Sequence, residues 1–337
     1  MSEPSFARPD LDVLGVGNAL VDVISHETDE FIAAHDLTRG ATMMVELDRV
    51  ESVYADLGPA QETSGGSAAN TMAGLASFGA SAAYVGRVRN DQLGAVFAHD
   101  LRALGVRFDV PPATAGPATG RCLVMVTPDA QRTMCTYLGA SSQLGPEDVD
   151  ESLVAGARIT YLEGYLWDQP PAKAAIRQAA TAAHAAGRRV ALTLSDPFCV
   201  ERHRAEFRHL VEHEVDVLLA NENEIRSLYE VGEFESAVRR VRGHCEVAAL
   251  TRSEKGSLVV AGDDLVEVAA HRVARVVDTT GAGDQYAAGF MYGLTRGLAP
   301  ETCGRLGSLA AAEVISHLGA RPETSLAELA RSELEVA

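Results

Sequence analysis

The 337 residues carry 29 basic and 47 acidic side chains, a formal net charge of −18. A field of that sign repels duplex nucleic acid and anionic membrane surfaces, so neither is expected as a partner, although backbone dipoles can still favour a small anion inside one cleft. The composition, 47% hydrophobic and 23% charged, is that of a globular chain; no apolar run is long enough to span a bilayer and MSEPSFARPD has no apolar signal core, so a soluble, cytosolic protein is expected.

In chain order, an apolar run from Val13 to Ile24 reads as the first strand. A helix over Asn70–Phe78, a strand over Ala82–Val88 and a helix over Gln92–Leu104 ending at Gly105 come next. The alternation resumes with Ile159–Leu162 (strand), Ala172–Ala186 (helix closed by Gly187), Val190–Leu194 (strand) and a polar helix over Glu201–His213. It continues through Val215–Ala220 (strand), Phe234–Arg242 (helix) and Val247–Thr251 (strand), and ends with helices over Ala282–Arg296 and Pro300–His317. Apolar strands alternating with longer helices predict a doubly wound α/β fold, its mostly parallel sheet covered on both faces.

Two stretches break the rhythm. Thr38–Leu47 is extended without a helical period, and Gly120–Leu138 reads as a hairpin, CLVMVT and TMCTYL around the turn PDAQRT. They are expected together in a small β-rich lid (19–47 and 111–142) over a core of 10–18, 48–110 and 143–337. The five cysteines are scattered without a CxxC pair, so neither a disulfide framework nor a structural zinc site is expected.

The most informative string is VVDTTGAGDQYAAGF, Val276–Phe290. A short strand is expected to end at Asp278-Thr279-Thr280, with Gly281-Ala282-Gly283 opening a helix that carries Asp284 in its first turn. Small residues let a polyanion approach free N–H groups at the favourable end of the helix dipole, and an acid beside a bound phosphate is placed to take a proton from a hydroxyl. In ETSGGSAANTMAGL, Gly65 and Gly66 allow close approach and Asn70 offers both donor and acceptor to a neutral polyol; a turn and helix cap account for it equally well. Asn18 and Asp22 interrupt the first apolar run, so they either bind each other and the backbone or face a ligand. Asn221-Glu222-Asn223-Glu224 follows a strand and is suited either to the water shell of Mg²⁺ or to a plain acidic helix start. Thr251–Gly256 is a nucleotide-edge loop or an ordinary turn, and HLVEHE is a solvated face rather than HExxH.

DTTGAGD, SGGSAANT and NENE, in this order, resemble the ribokinase/PfkB carbohydrate kinase family over about Asp12–Pro322. Within that family, GNALVD, Leu138-Gly139-Ala140, ALTLSDPF and VDVLLANENE are most similar to adenosine kinases. The resemblance implies a ribokinase-like fold with a small β lid, an ATP- and Mg²⁺-dependent transfer to a nucleoside or sugar hydroxyl, and a monomer or homodimer. It implies Asp284 as catalytic base and the Gly281, Ala282 and Gly283 amides as anion hole, with Arg132 as a mobile cation on the γ-phosphate. Asn18, Asp22, Gly65, Gly66, Asn70, Leu138 and Ala140 would line the acceptor site. Asn221, Thr251, Ser253 and Gly256 would line the nucleotide site, and Asn221 and Glu224 would arrange Mg²⁺ through water. Asp278 and Thr280 fall where members bind a monovalent cation, usually K⁺. A stacking ring for adenine is expected near Gly164-Tyr165-Leu166-Trp167, where Leu166 takes the usual aromatic position and Trp167 lies beside it. Fructose, ribose or a related polyol is the alternative acceptor.

Overall fold

The apolar run Val13–Ile24 is two strands that belong to two different sheets. In the computed structural model, which describes residues 10–129 and 131–334, β1 (Leu11–Val16) enters a large sheet and β2 (Leu20–His26) a small one. The break is Gly17-Asn18-Ala19, where polar Asn18 interrupts the hydrophobic pattern and the chain leaves one layer for the other. MSEPSFARP and Ala130, from the expected turn PDAQRT, lie outside the described residues, as do residues 335–337.

The remaining strands are β3 (Thr42–Met44), β4 (Ala60–Gly65), β5 (Ala82–Val85), β6 (Thr119–Val126), β7 (Arg132–Gly139) and β8 (Ala157–Glu163). They are followed by β9 (Arg189–Thr193), β10 (Val217–Asn221), β11 (Val247–Thr251), β12 (Ser257–Ala261) and β13 (Asp264–Val268). The large sheet runs β13-β12-β11-β10-β9-β8-β1-β5. It is parallel from β5 to β11 and antiparallel at its β12 and β13 edge. Parallel strands joined by crossover helices must be covered on both faces, which is why LDVLGV and VLLAN are apolar except for Asp12 and the terminal Asn221.

One face buries Met72, Tyr84, Tyr286, Phe290 and Leu306 beneath the helices Ser67–Ser77, Ala282–Thr295 and Pro300–Val314. The other buries Ile176, Trp167, Phe207 and Leu228 beneath Pro170–Ala185, Pro197–His213 and Glu222–Tyr229. The sequence reading of a doubly wound α/β fold therefore stands.

The small sheet, β3-β7-β6-β2-β4, takes four strands from the segments 19–47 and 111–142. Its fifth strand, β4, comes from the 48–110 stretch assigned to the core, and pairs antiparallel with β2 from Leu20↔Gly65 to Ser25↔Ala60. Its sequence, AQETSG, is too polar to announce a strand; pairing along β2 supplies what hydrophobic patterning does not. Two other expectations change: Thr38–Leu47 holds only the short β3 before a helix begins at Leu47, and Val276-Val277 is not a strand. The edge hairpin of β12 and β13 has no counterpart in the sequence reading. All five cysteines are free. Among the described residues, no helix is long and apolar enough to cross a membrane.

Candidate active site

Two helix starts meet at Asp284. The helix Ala282–Thr295 begins after Gly281, whose left-handed φ of 76° re-aims the chain; a Cβ there would lie 2.7 Å from the Ala320 backbone. The helix Ser67–Ser77 begins after Gly66, with φ 98° and room for no Cβ, which would lie 2.2 Å from the Asn18 carbonyl oxygen. The first turns then face each other. Ser67 Oγ donates to Asp284 Oδ1 at 2.6 Å and Asn70 Nδ2 donates to Oδ2 at 3.2 Å. Burial pushes the Asp284 carboxyl up to about 6, while the Ser67 and Asn70 hydrogen bonds and the Arg321 charge pull the other way. That value leaves it mostly ionised at neutral pH yet basic enough to accept a proton.

On one side of Asp284 opens a cavity of about 1000 Å³. Gly281, Ala282, Gly283 and Asp284 form its inner end, and Asn221, Glu224, Thr251, Ser253 and Gly256 line its walls. The structure thus brings every nucleotide-site residue expected from the sequence to one space. The first-turn amides of a helix have no intrahelical acceptor, so the Gly283 and Asp284 N–H groups are available to an anion at this end. The Ala282 amide makes one long bond, 3.3 Å, to Thr279 O. Gly283 has open space around its Cβ position, so a phosphate can approach the backbone there.

Asn221 and Glu224 form a reciprocal helix cap. Asn221 N and Nδ2 donate to the two Glu224 oxygens at 2.9 and 2.6 Å, and Glu224 N donates back to Asn221 Oδ1 at 2.9 Å. Burial raises the Glu224 carboxyl to about 7. The pair is thus the helix start expected from the sequence, and it also lines the cavity.

On the other side of Asp284 is a close-set polar cluster. The Asp22 carboxyl, raised to about 6 by burial against the opposing charges of Arg321 and Arg132, receives no hydrogen bond among the described residues. Gly65 makes room for it, since a Cβ there would sit 2.3 Å from that carboxylate. Asn70 Oδ1 accepts from Arg321 Nε at 3.2 Å, and Ser64 Oγ accepts from Arg321 Nη1 at 2.7 Å. Arg321 escaped the sequence reading, being a lone arginine in a loop 37 positions beyond Asp284.

Glu163 escaped it too. This carboxyl is 1% exposed at the end of β8, raised to about 7 by burial, and accepts from Asn18 Nδ2 at 2.7 Å and Ala68 N at 2.9 Å. Asn18, expected to hold a ribose hydroxyl, is engaged by the protein itself: Nδ2 on Glu163 and Oδ1 on Ser141 Oγ at 3.1 Å. It splices β1, β8 and the 140–143 turn. Leu138 is half-buried and its carbonyl takes the Ser141 hydroxyl at 2.7 Å, while Ala140 is buried beside it.

Two expectations fail on packing. Leu166 and Trp167 are 1% and 0% exposed and belong to the core beneath Pro170–Ala185 and Pro197–His213. Trp167 lies 5.8 Å from the Phe207 ring, with Lys173 and Arg177 over it, so neither residue offers a stacking surface. Tyr165 lines the large cavity instead.

Asp278 and Thr280, expected at a monovalent cation, are engaged by the protein. Asp278 Oδ1 accepts from Thr280 N and Oδ2 from Gly319 N, both at 3.0 Å, and Arg132 forms an ion pair with Oδ2. Arg132 Nη1 also donates to Thr280 Oγ1 at 2.7 Å. With one guanidinium on both side chains, the Asp278 charge is balanced by the protein itself in this arrangement. Arg132 thereby ties β7 of the small sheet to the start of the Asp284 helix.

This geometry has close counterparts in known proteins. A probable sugar kinase from Rhizobium etli superposes with a TM-score of 0.92 at 49% identity, covering 97% of this chain and 100% of that one. The adenosine kinase of Sinorhizobium meliloti gives 0.90 at 51% identity, covering 96% and 99%. The adenosine kinase of Saccharomyces cerevisiae is 27% identical over 326 residues, 90% of this chain and 94% of that protein. The pfkB family carbohydrate kinase model matches residues 40–326, which hold the small sheet's hairpin, the glycine-started helices and Asp284 alike. A cavity reaching one helix start, with a carboxylate there bound to a polar cluster, suits a phosphotransferase with an alcohol acceptor, and the chain belongs to the pfkB carbohydrate kinase family.

Proposed function

We propose that the protein is an ATP-dependent nucleoside kinase that phosphorylates the 5′-hydroxyl of adenosine. The observation that carries this reading is the position of Asp284 between the 1000 Å³ cavity and the Asp22–Asn70–Arg321 cluster, which puts one base between donor and acceptor. The likeness, at 51% identity, to an adenosine kinase supports the choice of acceptor.

In this reading Asp22 and Asn70 receive the ribose hydroxyls, and the 5′-oxygen approaches Asp284. The carboxylate takes the hydroxyl proton as the oxygen attacks the γ-phosphorus in line. The amides at the Gly281–Gly283 turn stabilise charge on the transferred group, each worth roughly 3 kcal/mol. The small sheet serves as the lid, excluding the water that would compete as acceptor. Arg132 moves from Asp278 to the phosphates.

Mg²⁺ fits the residues present only through its waters, because both Glu224 oxygens already accept from Asn221 and keep lone pairs for further donors. When bound it would neutralise phosphate charge.

A sugar kinase is the second reading, favoured by the burial of Leu166 and Trp167, which removes the ring expected to stack on adenine. Saturation kinetics over a panel of nucleosides and free sugars decide between them. A kcat/KM for adenosine well above that for ribose and fructose is expected, and the reverse order overturns the nucleoside assignment.

A further inference from the structure

Between the two carboxylates of the acceptor cluster lies a guanidinium that no part of the family motif announces. Arg321 reaches in from the loop after the Pro300–Val314 helix. Its Nε is fixed on Asn70 Oδ1 and its Nη1 on Ser64 Oγ, while its Nη2 is buried with no hydrogen-bond partner. A buried donor left unmade costs about 1–3 kcal/mol, so a fold that keeps one aims it at something the chain does not supply.

The bond to Asn70 also settles a geometric question. An amide side chain can turn either end toward Asp284. With Oδ1 held by Arg321, only the Nδ2 donor can face the carboxylate, which fits an ionised Asp284 and disfavours a protonated one.

We infer that Arg321 is a positioning residue of the acceptor site: it locks the orientation of the Asn70 amide on Asp284, keeps Asp22 and Asp284 ionised together, and leaves Nη2 to donate to an acceptor oxygen. This rests on the proposed kinase site but not on which alcohol is phosphorylated.

The charges around the cluster point the same way. Asp284 is faced by Arg321, with Ser67 and Asn70 as donors, and itself bears on Glu163 and Tyr161. Asp22 is faced by Arg321, Arg132 and Asp284. Arg321 is faced by Asp22, Asp100, Tyr84 and Asp284, while burial pulls its own pKa down. Among the described residues, Arg321 faces both carboxylates, whereas Arg132 faces Asp22 but not Asp284.

The test separates charge from position. Carboxyl-¹³C aspartate is incorporated into wild type and Arg321→Gln, with Asp22→Asn and Asp284→Asn used for assignment, and titrated by NMR without any substrate. Both carboxyls should titrate higher in Arg321→Gln, by roughly one pH unit or more for loss of a charge at this range. Titration curves that do not move overturn the inference, whatever the acceptor proves to be. Arg321→Lys keeps the charge and loses the fork. On whichever acceptor is turned over, it should lower kcat by roughly tenfold with the acid limb of the pH profile in place. Wild-type kcat in that variant overturns the positioning role, and the same measurement carries the test if Arg321→Gln does not fold. Failure of adenosine as substrate shows in the acceptor panel and leaves the titration untouched.

Discussion

Ser67 Oγ lies 2.6 Å from Asp284 Oδ1, so the first turn of one helix holds the carboxylate of another across 217 positions of sequence. The hydroxyl, with Asn70 beside it, fixes the carboxylate's rotation about its own axis, which a phosphoryl transfer relying on alignment needs more than added nucleophilic strength.

Asp284→Asn keeps the shape and both neighbours but cannot take a proton. Turnover should fall by about 10²–10⁴-fold, the range that general base catalysis supplies, with acceptor binding by calorimetry nearly unchanged. Unchanged turnover in a coupled ADP-release assay would refute the assignment.

The same substitution should stabilise the fold. The carboxyl's folded pKa of about 6 lies above its ordinary value of 3.8, so the native state holds a proton that the unfolded chain has released between those limits. Stability from this group is therefore present below about pH 4 and is lost as pH rises through about 6. At pH 7 the neutral amide avoids that loss, and its Tm should exceed wild type by the equivalent of roughly 1–3 kcal/mol. Activity runs the opposite way: kcat/KM should fall as pH drops through about 6, because the base must be unprotonated. A flat profile from pH 5 to 7 would remove Asp284 from that role.

Arg132→Ala deletes the link from β7 to Asp278 and Thr280. A loss of roughly 10²–10³-fold in kcat is expected, as for removal of one donor to a transferring group. Amide exchange across Thr119–Gly139 should also quicken. Exchange at the wild-type rate would mean that the small sheet is held by other contacts.

Trp167→Ala tests a packing claim. The ring is enclosed by Phe207, Lys173 and Arg177, so its loss should cost about 3–5 kcal/mol of stability while KM for the acceptor moves by less than roughly twofold. A large KM change with intact stability would return the residue to the binding site.

The parts of the site legible in the sequence were those whose backbone does the work. DTTGAGD and SGGSAAN each carry a glycine at positive φ, Gly281 and Gly66, with no room for a Cβ, just before a helix start with free amides. The parallel strands of the large sheet were legible because burial on two faces leaves a nearly continuous apolar record, whereas the antiparallel edge strand β13, mostly exposed, left none. What stayed hidden was carried by partners distant in sequence. Glu163 ends an ordinary core strand, and only the fold shows that Asn18 and the Ala68 amide converge on it. Arg321 has no neighbours that form a motif, and β4 is polar because its identity as a strand comes from β2. Trp167 misled for a related reason, since an aromatic next to an expected pocket looks the same in sequence whether it points in or away.

The break at Gly17-Asn18-Ala19 bears on how such enzymes can be re-engineered. Because a single uninterrupted length of chain supplies a strand to each layer, and Asn18 at the splice clasps Glu163 of the main sheet, the small sheet is not a detachable cap. A chimera that borrows a relative's cap to change its acceptor must carry over the matching partner of position 18 as well, or the graft will arrive with its seam unstitched.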